Sequence, residues 1–198
     1  MALRDRAQLH IEAQQREFAN LDYSAKAVTA RLVRLGTLFV EAMGRVSAPF
    51  GLSANEYVIL CALRGSGAPY TLPPKSINPL MTLSSGGLTN ILHALEARGL
   101  VERLPDPADR RGVLIRLMPQ GIKVIEQAIS AHVSEEHRMI AALTPKERIA
   151  LRDLLFKLLA SIDPVPDPAA TSARVRVTQN KSKSQAQMHA NREAGVRR

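Results

Sequence analysis

From residue 84 to residue 93 the chain reads Ser84-Ser-Gly-Gly-Leu-Thr-Asn-Ile-Leu-His93. On a helix that turns Leu88, Ile91, Leu92 and Leu95 inward, Ser85, Gly86, Thr89, Asn90 and His93 share the opposite side. These are short or hydrogen-bonding residues, the kind that a DNA major groove admits. An Asn amide donates and accepts together at adenine, and Ser and Thr hydroxyls reach phosphates or base edges. Ser84 is placed to cap this helix, and Gly99 ends it just past Arg98. Gly86 and Gly87 each cost about 1 kcal/mol against Ala in a helix. At the helix start they suit close approach of another backbone, DNA being one candidate, or a simple extension of the turn.

A second cluster, Asp109, Arg110 and Arg111, falls in the turn-rich stretch 105–112 between two β-prone runs, 100–104 and 113–117. The spacing predicts a hairpin with an extended, partly basic loop. In isolation these charges read as a solvated turn. Behind a groove-reading helix, an Arg at the tip can enter a narrow minor groove, where the potential is most negative. Upstream, a short helix over 75–81 opens at Pro74 and carries Lys75, Ser76 and Asn78 as candidate phosphate contacts. Pro73 offers it no side-chain cap, and Pro79 removes a backbone hydrogen bond and should kink or shorten it.

The elements that must position these residues are mainly helical. Val28, Leu32, Leu35, Phe39, Met43 and Val46 form one stripe on a long helix that Pro49 and Gly51 stop. Ser53 with Glu56 makes a capping box, and Leu52 with Tyr57 a hydrophobic staple, for a helix running to about residue 64. After the hairpin, Ile122, Ile125, Ile129 and Val133 form another stripe. Thr144, Pro145 and Glu147 then open a last helix through Leu151, Leu154, Leu155, Leu158 and Leu159.

The order of helix, helix, short strand, helix, helix, hairpin, helix, helix contains a winged helix-turn-helix. Its residues resemble the MarR/SlyA family of transcriptional regulators over roughly 23–162, most specifically over 83–121. The strongest stretch runs from Leu83 through His93 to Arg103, followed by Asp106-Pro-Ala-Asp-Arg-Arg-Gly-Val-Leu-Ile-Arg-Leu117. The wing pattern of Asp109 and Arg111 before Ile115 and Leu117 belongs to that likeness. Pro73 departs from it, standing where the family usually has Ser or Thr, as does Met118, where Thr is commoner.

The resemblance implies a mainly α fold with a small β-hairpin wing, flanked by N- and C-terminal dimerisation helices. The domain layout expected is an arm at 1–22, helical or disordered; a winged-helix domain at 23–163, with its DNA-binding lobe at about 52–118 and dimerisation helices at about 23–50 and 119–162; and a basic, disordered tail at 164–198. It further implies a homodimer on double-stranded DNA with a pseudo-palindromic operator, most often a repressor relieved by a small aromatic or phenolic effector. Asp109 is then expected to orient Arg111. Arg34, Phe39, Tyr57 and Arg64 are candidates for the effector cleft, although core packing and surface charge explain them equally well. The alternative is a winged-helix protein-interaction module with only electrostatic DNA affinity.

Composition narrows the remaining classes. Lys and Arg total 27 against 18 Asp and Glu, for a formal net charge of +9, which favours acidic partners. Residues 164–198 hold seven bases and two acids, more than half of that excess. Residues 84–121 hold five bases and four acids, so placement rather than bulk charge carries the functional reading. Aromatic residues make up 4%, against base-stacking folds. No GxSxG, P-loop or GxGxxG occurs, and no nucleophile lies beside a base, so no enzyme, catalytic residue or cofactor is expected. Cys61, the single cysteine, sits among apolar residues and reads as inert packing. It excludes an internal disulfide and a CxxC zinc site and fits a reducing compartment. The histidines at 10, 93, 132, 137 and 189 make no metal-ligand spacing. His132 and His137 read as a solvated helix face. With no membrane-length apolar run, the expected location is cytoplasmic, on the nucleoid.

Overall fold

The computed structural model describes residues 4–77 and 84–165. The chain divides into two compact units between Ile140 and Ala141. In the first unit, α1 is a helix over Arg6–Glu17. Asp5 caps it by accepting the Gln8 N–H at 2.7 Å, and Ala7 and Ile11 are buried. Arg31 reaches back to the cap, its Nε donating to Asp5 at 2.9 Å.

The predicted long helix is α2 (Ser24–Ser47), which ends in a 3-10 turn, Ala48–Phe50, and a left-handed Gly51. Its apolar stripe is only partly covered by its own chain. Ala42 and Ser47 are the buried residues, while Val28 and Leu35 of the stripe are exposed. Next comes α3 (Ala54–Gly65), with the Ser53–Glu56 capping box formed in both directions, Leu52 in the core cluster and half-buried Tyr57 packed against it.

A three-stranded antiparallel sheet has the order β1-β3-β2, from β1 (Thr71–Leu72), β2 (Val101–Asp106) and β3 (Asp109–Leu117). The register runs from Val101 opposite Leu117 to Pro105 opposite Val113, then shifts so that Asp106 faces Asp109. The hairpin is therefore tighter than its turn-rich sequence suggests. Asp109 and Arg111 lie in β3 rather than in an eight-residue loop, because aspartate side chains take up the backbone donors where the register breaks.

The helix expected over 75–81 differs as well. Its described part is a single 3-10 turn, Pro74–Ser76, entered from an extended Pro73 that gives no side-chain cap. Ile77 after it is fully buried. Asn78 and Pro79 lie outside the described residues, as does the tail from residue 166.

Ser84 begins α4 (Ser85–Ala97), and Gly99 follows with φ 65°. From Pro119 to Met139 runs α5, packed on α2 and α3. Its buried line is Gly121, Ile125, Ala128 and His132, rotated from the stripe Ile122, Ile125, Ile129 and Val133 marked by large side chains. Small residues lie where backbones come close. At Gly121 an added Cβ would stand 2.2 Å from the Leu100 carbonyl oxygen.

The core of this unit joins Leu52, Ile59, Leu60 and Leu63 to Leu92 and Leu95 of α4, Ile115 and Leu117 of β3, and Ile125 of α5. Each such side chain contributes about 1.5–3 kcal/mol by leaving water. In the second unit, α6 (Pro145–Ile162) starts on the predicted Thr144–Glu147 capping box. Its leucines, Phe156 and Ile162 are exposed. Among the described residues, no single helix is long and apolar enough to cross a membrane.

Candidate nucleic-acid interface

The geometry of α4 follows from its cap and its apolar stripe. Ser84, extended at φ −65° and ψ 155°, accepts the Gly87 N–H on its Oγ at 3.1 Å. Leu92 and Leu95 are buried, Leu88 and Ile91 half-buried. With that stripe inward, Gly86, Thr89, Asn90 and His93 stand exposed and Gly87 is half-exposed; the Ser85 side chain lies outside the description. No acidic residue occupies the first turn of α4, so the positive end of the helix is not neutralised there.

A Cβ added at Gly86 would meet nothing within 4 Å, and one at Gly87 only Ser84 Oγ at 3.2 Å. The space beside Gly86 is therefore not filled by any described part of this chain. His93 is not isolated: its Nδ1 lies 4.0 Å from Glu96, whose carboxylate also accepts from Arg103 Nε at 3.1 Å. That pair fastens α4 to the first wing strand.

The wing is braced along its length. Arg116 on β3 pairs with Glu102 on β2. At the tip, Asp106 accepts the Ala108 N–H at 2.9 Å, and Asp109 accepts the Arg111 N–H at 3.0 Å. Asp109 thus holds the backbone of Arg111, and Arg111 is exposed with no ion-pair partner among the described residues. The Arg110 side chain lies outside the description. Lys75 and Ser76 are exposed on the 3-10 turn ahead of α4.

Among the described concavities, Arg34 and Arg64 border different ones. Arg34 borders a groove between α1 and α2, with Arg6, His10, Lys26, Ala30 and Val33. Arg64 borders a different concavity with Cys61, Glu126 and Ile129. There its Nη2 donates to Glu126 at 2.8 Å and its charge sits 4.8 Å over the Tyr70 ring. Phe39 is half-buried on α2 and lines neither concavity. Tyr57 is half-buried against the core, its ring stacked on His132.

His132 is a correction to the sequence reading. Expected on a solvated face with His137, it is 4% exposed and bonded to Ser47, whereas His137 is exposed. The spacing Ile125, Ala128, His132 was the signal: three and four residues apart, it marks the buried line once Ala is counted with the apolar residues. Burial also raises the pKa of the Cys61 thiol, with a hydrogen bond from Tyr57 opposing it, so the thiol is poorly suited to nucleophilic chemistry. Among the described residues no group of three potential metal ligands comes together. The clasp from Arg98 to Glu56 and Gly51 leaves no mark in the local sequence pattern. Its partners are more than forty positions apart, and local periodicity is blind to them.

Comparison with known proteins agrees with this architecture. The MarR family description matches residues 52–113, from the start of α3 into the second wing strand. The HTH-type transcriptional regulator PecS of Dickeya dadantii is 32% identical over 148 residues, covering 75% of this chain and 89% of that protein. A mutant MarR from E. coli, complexed with operator DNA, superposes with a TM-score of 0.60 at 27% identity, over 70% of this chain and 99% of that one. AbsC, a MarR family regulator from Streptomyces coelicolor, shares the fold with a TM-score of 0.64 at 22% identity, over 72% and 96% of the two chains. With a helix that buries one side and exposes a polar other, a braced two-stranded wing, and relatives that are regulators along nearly their whole length, the chain belongs to the MarR family of winged-helix, DNA-binding transcriptional regulators.

Proposed function

We propose that this protein is a homodimeric repressor that acts on chromosomal DNA in the cytoplasm, placing two α4 helices in successive major grooves of a pseudo-palindromic operator. The two-sidedness of α4 carries the proposal: Leu92 and Leu95 are buried while Thr89, Asn90 and His93 are presented outward. In this reading Thr89, Asn90 and His93 meet base edges, and the helix start, Ser84 to Gly87, meets the phosphate backbone. Arg111, with Arg110 beside it, enters the flanking minor groove while Asp109 holds the turn. Lys75 and Ser76 contact phosphates.

Two half-site readers must be held about 34 Å apart, which a symmetric dimer achieves. Exposed apolar residues suit that role: Val28, Val33, Leu35 and Val40 on α2, and Leu154, Phe156, Leu159 and Ile162 on α6. The effector, a small aromatic or phenolic anion, fits the Arg34 groove better than the Arg64 concavity. Arg6, His10, Lys26 and Arg34 border the former with no carboxylate, over apolar Ala30 and Val33, whereas Glu126 already neutralises Arg64. Relief of repression requires the effector to prefer the conformation whose reading helices are misaligned, since equal affinity shifts nothing.

The test is selection of duplexes from random DNA by the full chain, followed by binding of variants. Arg111→Ala should weaken binding to all duplexes, and Asn90→Ala should change base preference. Unaltered binding by both variants removes the site assignment. If unrelated DNA displaces the selected duplex at equal concentration, the interaction-module reading replaces the operator-specific one.

A further inference from the structure

Arg98 is the C-cap residue of α4. Its guanidinium leaves the helix and spans two acceptors at the corner between α2 and α3. Nη1 donates to Glu56 Oε1 at 2.9 Å, and Nη2 donates to the Gly51 carbonyl at 2.7 Å. Glu56 is already engaged, because its Oε2 accepts the Ser53 N–H at 2.7 Å as the return half of the capping box. Its side chain is 13% exposed, so the ion pair is sheltered from solvent on that side. Gly51 is the left-handed residue that ends the turn after α2. One side chain thereby ties the end of α4 to the first turn of α3 and to the exit of α2.

Apolar packing cannot do the same work. Leu92 and Leu95, with half-buried Leu88 and Ile91 beside them, set the depth of α4 against the core, but apolar attraction is non-directional and does not by itself fix the angle of the helix. The span from Arg98 to Gly86 is about 18 Å at the rise of an α-helix. A tilt of ~10° about the Arg98 end would move the Gly86 end by ~3 Å, about a full hydrogen-bond length. The guanidinium fork resists that tilt because its two N–H directions are fixed in one plane.

We infer that Arg98 is a positioning residue for operator recognition: by clasping Glu56 and Gly51 it sets the angle of α4 against α2 and α3, and with it the half-site spacing that the protein accepts, without itself touching DNA. This rests on the reading of α4 as the groove-entering helix. The clasp is specific to Arg, since a Lys ammonium keeps the charge opposite Glu56 but has no rigid fork for the carbonyl.

The experiment uses the full chain and random duplexes, reading the selected half-site spacing together with affinity for the selected duplex and for an unrelated one. Arg98→Gln is expected to lose about tenfold in affinity for the selected duplex while changing less than about twofold on the unrelated one. Its selected spacings should spread by about one base pair to either side. Arg98→Lys should show the same spreading, and it carries the measurement if circular dichroism shows Arg98→Gln to be unfolded. Equal losses on both duplexes, or an unchanged spacing profile in the folded variants, overturn the inference. A wild-type chain that enriches no common duplex instead removes the reading of α4 itself, and the positioning role with it.

Discussion

The imidazole of His132 lies flat against the ring of Tyr57, with centroids 3.6 Å apart and planes 16° from parallel. Its Nε2 is 2.9 Å from Ser47 Oγ, so α2, α3 and α5 are joined at one buried polar point. Burial pulls the His132 pKa below its ordinary 6.5, against a smaller opposing pull from Glu136 and Glu135. The unfolded chain therefore takes up the proton first, and the contribution of this site is complete above 6.5 and is lost as pH falls below it. Thermal midpoints measured by circular dichroism should drop as pH falls through and below 6.5 in the wild type and drop less in His132→Gln. Parallel profiles would exclude His132 as the titrating group.

Gly121 should not tolerate even a methyl group. A Cβ there would lie 2.2 Å from the Leu100 carbonyl oxygen and 2.8 Å from Leu117 Cδ1, and backbone cannot swing aside as a side-chain tip can. Gly121→Ala should cost at least the roughly 1–3 kcal/mol of an overpacked core, read as a lower urea midpoint. An unchanged midpoint would mean that the contact between α5 and the backbone at Leu100 relaxes freely.

Gly86 makes the opposite case. Its added Cβ meets nothing within 4 Å of this chain, so Gly86→Ala should leave stability unchanged or raise it by up to about 1 kcal/mol. If a phosphate backbone packs there, the same variant should bind the operator less tightly. Full binding by Gly86→Ala would show that the glycine serves only the turn.

The seven bases and two acids of residues 164–198 should add sequence-indifferent affinity. Deleting 164–198 is expected to lower affinity for unrelated duplex and to flatten the dependence of log affinity on log salt, while sparing operator choice. A changed operator preference in the deletion would give the tail a part in recognition.

Features legible in the sequence are those decided within four or five residues. The capping boxes at Ser53 with Glu56 and at Thr144 with Glu147 form as their spacing requires. The inward Leu92 and Leu95 and the Ser84 cap of α4 follow for the same reason, since helix periodicity and cap geometry act between near neighbours. The family likeness was legible too, because the reading helix and wing form one contiguous stretch.

Tertiary structure decided whatever depends on which surfaces meet. His132 is buried because α2 and α3 close over the small-residue line of α5, a line that large apolar side chains disguise. Arg34 and Arg64 border different described concavities because they stand on helices that face different neighbours. Arg98 reads as an ordinary charge at a helix end until folding brings Glu56 and Gly51 within reach. Pairing across forty residues depends on the shape of the core, and residue spacing along the chain does not encode that shape.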